Sequence, residues 1–184
     1  MKKNLAPILL LLFASQTQAG IRQYSADLDT SKWQLSKNSR LNCTLSHQIP
    51  HYGEAKFYSK ANRKLNMEFE LDMLRLPDNY SLAEVRSVAP NWRPGINSRK
   101  ITDMKLHRQF APSLPQKVAW TMLSELEQGM SPTFYYDDWY SNEDKISVGL
   151  STAKFKKAYQ EFVGCVGNLL NFSFDDISYT VLNY

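Results

Sequence analysis

The chain has 184 residues, with 22 Lys and Arg against 18 Asp and Glu, and a formal charge of +4. Lys2 and Lys3 supply half of that excess, so residues 20–184 carry only +2 over 165 residues. So small an excess gives no support to nucleic-acid binding. Two cysteines are too few for a multi-disulfide toxin scaffold, and no transmembrane segment is expected, because no apolar run is long enough to cross a membrane as a helix.

Residues 1–19 read as a secretory signal. Met1-Lys2-Lys3-Asn4 is a positive start, Leu5 to Phe13 is an apolar run interrupted only by Pro7, and Thr17-Gln18-Ala19 is a small-x-small site favouring cleavage after Ala19. The run is about half the length a spanning helix needs. Such a start suits bacterial export and places residues 20–184, read as one domain, in the oxidising periplasm. Cys43 and Cys165 are then an even count in a disulfide-permissive compartment. One bridge between them is the expectation, and two unpaired buried thiols are the alternative.

The segment after the signal reads as strands. Leu41, Cys43, Leu45, His47 and Ile49 alternate with polar residues, which puts Cys43 on the inward face. Pro50 ends this strand and Tyr52-Gly53 turns the chain into a weaker alternation at Ala55, Phe57, Ser59 and Ala61. Leu65, Met67, Phe69, Leu71 and Met73 alternate strictly with Asn66, Glu68, Glu70 and Asp72, the pattern of a sheet with one face in solvent. Leu76 to Asn79 reads as a turn, Ser81–Val88 and Ile101–Leu106 as strands, and Ala89 to Gly95 as a loop. Ser113-Leu114-Pro115-Gln116 has capping-box spacing ahead of Ala119, Met122, Leu123 and Leu126, with Gly129 as a stop. Ser151 opens a longer helix carrying the stripe Phe155, Ala158, Tyr159, Phe162, Val163, Val166, Leu169 and Leu170, which Cys165 borders. Ile177, Tyr179 and Val181 alternate in a closing strand. The expected fold is α+β: a mainly antiparallel sheet or partly open barrel, two packed helices and one disulfide.

Chemistry is thinly represented. Cys43, His47 and His51 are spaced like metal ligands, but strand positions four apart lie roughly 13 Å apart, so no metal and no cofactor are expected. No nucleophile elbow, zinc helix, phosphate loop or dinucleotide fingerprint occurs. The acid pairs Asp137-Asp138, Glu143-Asp144 and Asp175-Asp176 read as solvated turns or helix flanks, and Lys154, Lys156 and Lys157 as a solvated basic edge. An enzyme is therefore not expected. Trp92, Arg93, Tyr136 and Trp139, in the loop-like stretches Asn91 to Gly95 and Pro132 to Tyr140, are of the types that dominate protein interfaces and are the candidate interface residues.

Several segments, in this order, resemble the N-terminal domain of the MotY family, periplasmic proteins of sodium-driven flagellar motors. They are Leu41-Asn42-Cys43-Thr44-Leu45-Ser46-His47-Gln48-Ile49-Pro50, Leu65-Asn66-Met67-Glu68-Phe69-Glu70-Leu71 and Trp92-Arg93-Pro94-Gly95. Leu123-Ser124-Glu125-Leu126-Glu127-Gln128-Gly129, Pro132-Thr133-Phe134 with Asp138-Trp139, and Cys165 with Asn168-Leu169-Leu170 and Phe172-Ser173-Phe174-Asp175-Asp176-Ile177 follow. The resemblance implies a ring, formed with a MotX-like protein around the periplasmic rings of the flagellar basal body, that helps capture stator units. It implies that this domain makes the basal-body and MotX contacts, and that a disulfide joins the positions of Cys43 and Cys165. In the family an OmpA-like, peptidoglycan-binding domain follows. Here the chain stops at Tyr184, about where that domain begins, so peptidoglycan binding is not expected. The expectation is a docking module of the flagellar motor, and the alternative is a periplasmic envelope adaptor unconnected with motility.

Overall fold

The computed structural model describes residues 20–38, 41–61, 66–73, 77, 80–90, 93–139 and 144–169. The signal segment 1–19, Trp92, Glu143 and everything after Leu169, including the expected closing strand, lie outside the described residues. Ten strands and two helices are seen among the described residues. They are β1 Ile21–Ser25, β2 Trp33–Asn38, β3 Asn42–Ile49, β4 Gly53–Lys60, β5 Asn66–Met73, β6 Ser81–Val88, β7 Arg99–Leu106, β8 Ser113–Leu114, α1 Gln116–Glu127, β9 Ser131–Asp137, β10 Lys145–Gly149 and α2 Phe155–Gly167.

The strands form two five-stranded sheets that do not close into a barrel. One has the order β1-β10-β9-β6-β7 and the other β2-β3-β4-β5-β8. All pairings are antiparallel except β1 with β10, which is parallel, Ile21 facing Lys145 and Ser25 facing Gly149. The second sheet is a meander set by its own alternation. Cys43, Leu45, His47 and Ile49 of β3 and Ala55, Phe57 and Ser59 of β4 are buried in register, Leu45 facing Phe57. His51 turns the chain with φ of 62° in the hairpin between them.

Both helices cover this framework with the faces their spacing dictates. In α1, Ala119, Met122, Leu123 and Leu126 are buried against β5, β9 and β7. Gly129, with φ of 80°, stops it: its N–H donates to Leu126 O at 3.1 Å and that of Met130 to Glu125 O at 2.8 Å, the paired bonds of a left-handed C-terminal cap. In α2, Phe155, Ala158, Phe162 and Val166 bury one face against β3 and β2. One continuous core joins both sheets and both helices, with Phe57, Phe134, Phe155 and Phe162 fully buried. Each such ring contributes about 1.5–3 kcal/mol in transfer free energy alone.

Three expectations about local structure need correction. The capping-box serine Ser113 lies in β8 and the residue capping α1 is Pro115, which gives no side-chain bond. Ser151 likewise does not cap α2, which begins after Lys154, a residue held at φ of 58°. The stretch Pro132 to Asp137, read as a loop, is β9, a central strand between β10 and β6. Pro132, Thr133 and Phe134 are buried in succession, so β9 carries no two-residue alternation to betray it.

Candidate docking surface

The disulfide forms as expected, Cys43 of β3 to Cys165 of α2 with Cα atoms 6.1 Å apart. This also uses up the first member of the Cys43–His47–His51 spacing. His47, fully buried on the same face of β3, spends both ring nitrogens inside the domain: Nδ1 donates to Lys32 O at 3.0 Å, and Nε2 accepts from the Ser151 N–H at 3.2 Å. Its ring stacks on Trp33, centroids 4.5 Å apart. Burial lowers its pKa below the ordinary 6.5, partly countered by the Lys32 carbonyl. The side chain is a neutral core pin between β3 and the segment after β10.

Of the candidate interface residues, the structure places three. Tyr136 is buried on the inner face of β9, its hydroxyl donating to that of Tyr52 at 2.9 Å. Burial pushes both hydroxyls to higher pKa, so the pair stays protonated. Trp139 is half-buried and stacks nearly parallel on Tyr136, centroids 5.7 Å apart, presenting its outer side at the surface. Tyr136 thus supports Trp139 from beneath.

A charged clasp fixes the chain on either side of Trp139. Arg22 of β1 donates to Asp144 Oδ2 at 2.8 Å and to the carboxylate of Asp138. Asp138 is nearly fully buried and so departs from the solvated turn expected of it, while Asp137 points outward. The hydrogen bond from Arg22 holds the Asp144 carboxyl below its usual range, and Asp144 in turn raises the guanidinium. The sequence gives no hint of this partnership, whose members are 116 and 122 positions apart.

Arg93 sits elsewhere. Its guanidinium donates to Gln128 O at the end of α1, at 2.9 Å, beside a cavity of about 420 Å³ that Ile96, Arg99, Glu125 and Met130 also line. Glu125, buried on α1, accepts from Ser87 Oγ and from Arg99, which closes the cavity floor with a neutralised carboxylate. This end adjoins the start of β9, whereas Trp139 follows its end. A strand of that length is roughly 20 Å long, so Arg93 and Trp139 belong to two separate surfaces.

Among the described residues no group of three or more His, Cys, Asp or Glu side chains converges to hold a metal ion, and no helix is long and apolar enough to cross a membrane. Comparison with known proteins identifies the family. The family model described as the MotY N-terminal domain matches residues 24–171. The chain is 40% identical over 177 residues to a protein named sodium-type flagellar protein MotY from Vibrio parahaemolyticus serotype O3:K6 (strain RIMD 2210633). That alignment takes in 96% of this chain and spans 60% of the relative's length. With the family model laid over both sheets and both helices, the chain belongs to the MotY N-terminal domain family.

Proposed function

We propose that this protein is a non-catalytic, periplasmic component of the flagellar motor that docks on the basal body as part of a ring supporting stator assembly. The observation that carries the reading is the match to the MotY N-terminal domain across residues 24–171, with a 40% identical relative named for a sodium-type flagellum. The Cys43–Cys165 bridge supports an oxidising compartment. Export would be directed by residues 1–19, and N-terminal sequencing of the exported protein should begin at Gly20. The partners are basal-body ring proteins and a MotX-like protein, with the stator units recruited indirectly. Trp139 at one end of β9, Arg93 at the other, and Trp92 are the proposed contact residues, Tyr136 holding Trp139 in place.

Deleting the gene should leave filaments assembled and swimming impaired, and the tagged protein should copurify basal-body ring proteins. Normal swimming, with no copurification of ring or stator proteins, would overturn the reading in favour of an envelope adaptor unconnected with motility.

A further inference from the structure

β7 ends its sheet: β6 pairs with one side, and among the described residues no strand pairs with the other. The β6 ladder shows how much of that edge is regular. Val85 faces Thr102 and Arg86 faces Lys100, so Ile101 is an extra residue, a bulge that breaks the two-residue alternation. The regular run is therefore residues 102–106, in which Met104 and Leu106 are fully buried and Asp103 and Lys105 are exposed on the opposite face. Its open side offers a row of backbone donors and acceptors to another strand. Beside it runs a groove of about 580 Å³ whose acidic and basic liners, His107 aside, are Asp103 and Lys105, in balance.

A lysine on an edge strand guards it, because an incoming strand must leave the ammonium uncompensated. Here the guard has a counter-charge two positions away on the same face, so the strand that suits this edge is one carrying the same two charges in reverse order. Asp103 is held by Lys100 at 2.6 Å, an exposed pair of little worth, and among the described residues no ion pair takes Lys105. Across the β6 ladder Lys105 faces uncharged Leu82, and Asp103 faces Glu84, which Arg86 holds at 2.9 Å. An antiparallel second copy of residues 102–106 supplies the reversed order. The register that pairs all five residues is centred on Met104, and it sets Asp103 opposite Lys105 twice. A slip of one residue turns the buried face of one copy against the solvent face of the other. A slip to Asp103 or Lys105 as centre sets like charges against each other.

We propose that the β7 edge is the seat of a two-fold dimer of this chain: residues 102–106 of two copies pair antiparallel about Met104, with Asp103 of each copy opposite Lys105 of the other. The same patch meets itself, so the contact closes at two copies and joins their β1–β7 sheets into one. Just past Leu106, the rings of Tyr80 and Phe110, 71% and 60% exposed, flank His107 at 4.5 and 5.7 Å. In this register that cluster comes level with the bulged Ile101 of the second copy, which gives each end of the ladder an apolar contact. The dimer does not depend on the docking role proposed above.

Sedimentation equilibrium of the exported protein, from micromolar to millimolar concentration, should show monomer and dimer in exchange, with amide exchange across residues 102–106 slowing as the dimer fills. Asp103→Lys and Lys105→Asp each set like charges opposite each other at both contacts and should weaken dimerisation about tenfold or more. Both side chains are exposed, so the core stays intact. Mixing the two single variants sets lysine opposite aspartate throughout the mixed pair and should restore the parental affinity, as should one chain carrying both changes. A loss of stability gives no such rescue. Monomer at every concentration overturns the proposal, and so does a dimer indifferent to the single changes or one that mixing fails to restore. If exchange at residues 102–106 slows only when basal-body proteins are added, the edge takes a foreign strand and the proposal is wrong.

Discussion

Replacing either cysteine by serine, or reducing the bridge, removes the covalent tie between β3 and α2. The two residues are 122 positions apart, and closing a loop of that size restricts the unfolded chain by about 4–5 kcal/mol on the chain-entropy account. The two ends differ in surroundings. Cys43 is fully buried in the hydrophobic core, whereas Cys165 is half-buried and borders the exposed side of α2. Cys43→Ser therefore adds the cost of a hydroxyl in an apolar site, about 1–3 kcal/mol, that Cys165→Ser largely avoids. Urea unfolding of the oxidised protein, the reduced protein and both variants measures this. For a domain of this size the reduced protein should unfold at about 2 M lower urea and melt about 10–15 °C lower, with Cys43→Ser lower still. Equal midpoints with and without reductant would refute the loop-closure reasoning and show that packing alone holds α2. Equal losses in the two variants would refute only the difference in burial.

Further outcomes follow from the polar groups of the core. His47 has a folded pKa below 6.5, so the unfolded chain takes up protons first: its contribution is complete above pH 6.5 and falls away below it, by up to about 1.4 kcal/mol per pH unit. The pH dependence of unfolding between 5 and 6.5 should show this slope, and His47→Phe should flatten it. Arg99→Ala leaves the Glu125 carboxylate buried with Ser87 as its remaining side-chain donor among the described residues. It should cost about 1–3 kcal/mol by urea unfolding, and Glu125→Gln, which keeps the Ser87 contact, should cost less. Tyr136→Phe removes the hydroxyl bonded to Tyr52 and should lower stability by about 1 kcal/mol without altering capture of basal-body proteins, since the ring under Trp139 remains.

What the amino-acid order made legible was the part of the fold whose signals are local. β3 and β4 alternate because one face meets the core, and α1 and α2 carry their apolar stripes for the same reason. β9 escaped because a central strand buried at three successive positions looks like an aromatic loop, and because Pro132 argues against a ladder. The two serine caps failed where neighbouring chain competed: Ser113 is taken by pairing with Glu70, and Ser151 by its carbonyl bond from the Trp33 indole and its own contact to His47. Of the interface residues, their types were readable but their distribution was not. That Arg93 and Trp139 stand at opposite ends of β9 depends on a contact across 35 positions, and that Asp138 is buried by Arg22 on one across 116, more than half the chain.

Those distant pairings also impose an order in time. β1 is the first strand among the described residues, yet its parallel partner is β10, and Arg22 meets Asp144 across a separation of 122 positions, the same as that of the bridged cysteines. A chain delivered from its N-terminus can assemble the β2–β5 meander as it emerges, but it must hold β1 unpaired until nearly all the rest has arrived. Chain closure is thus a late event driven from the far end. α2 and β10 act as the latch, and the early strands wait, open-edged, for them.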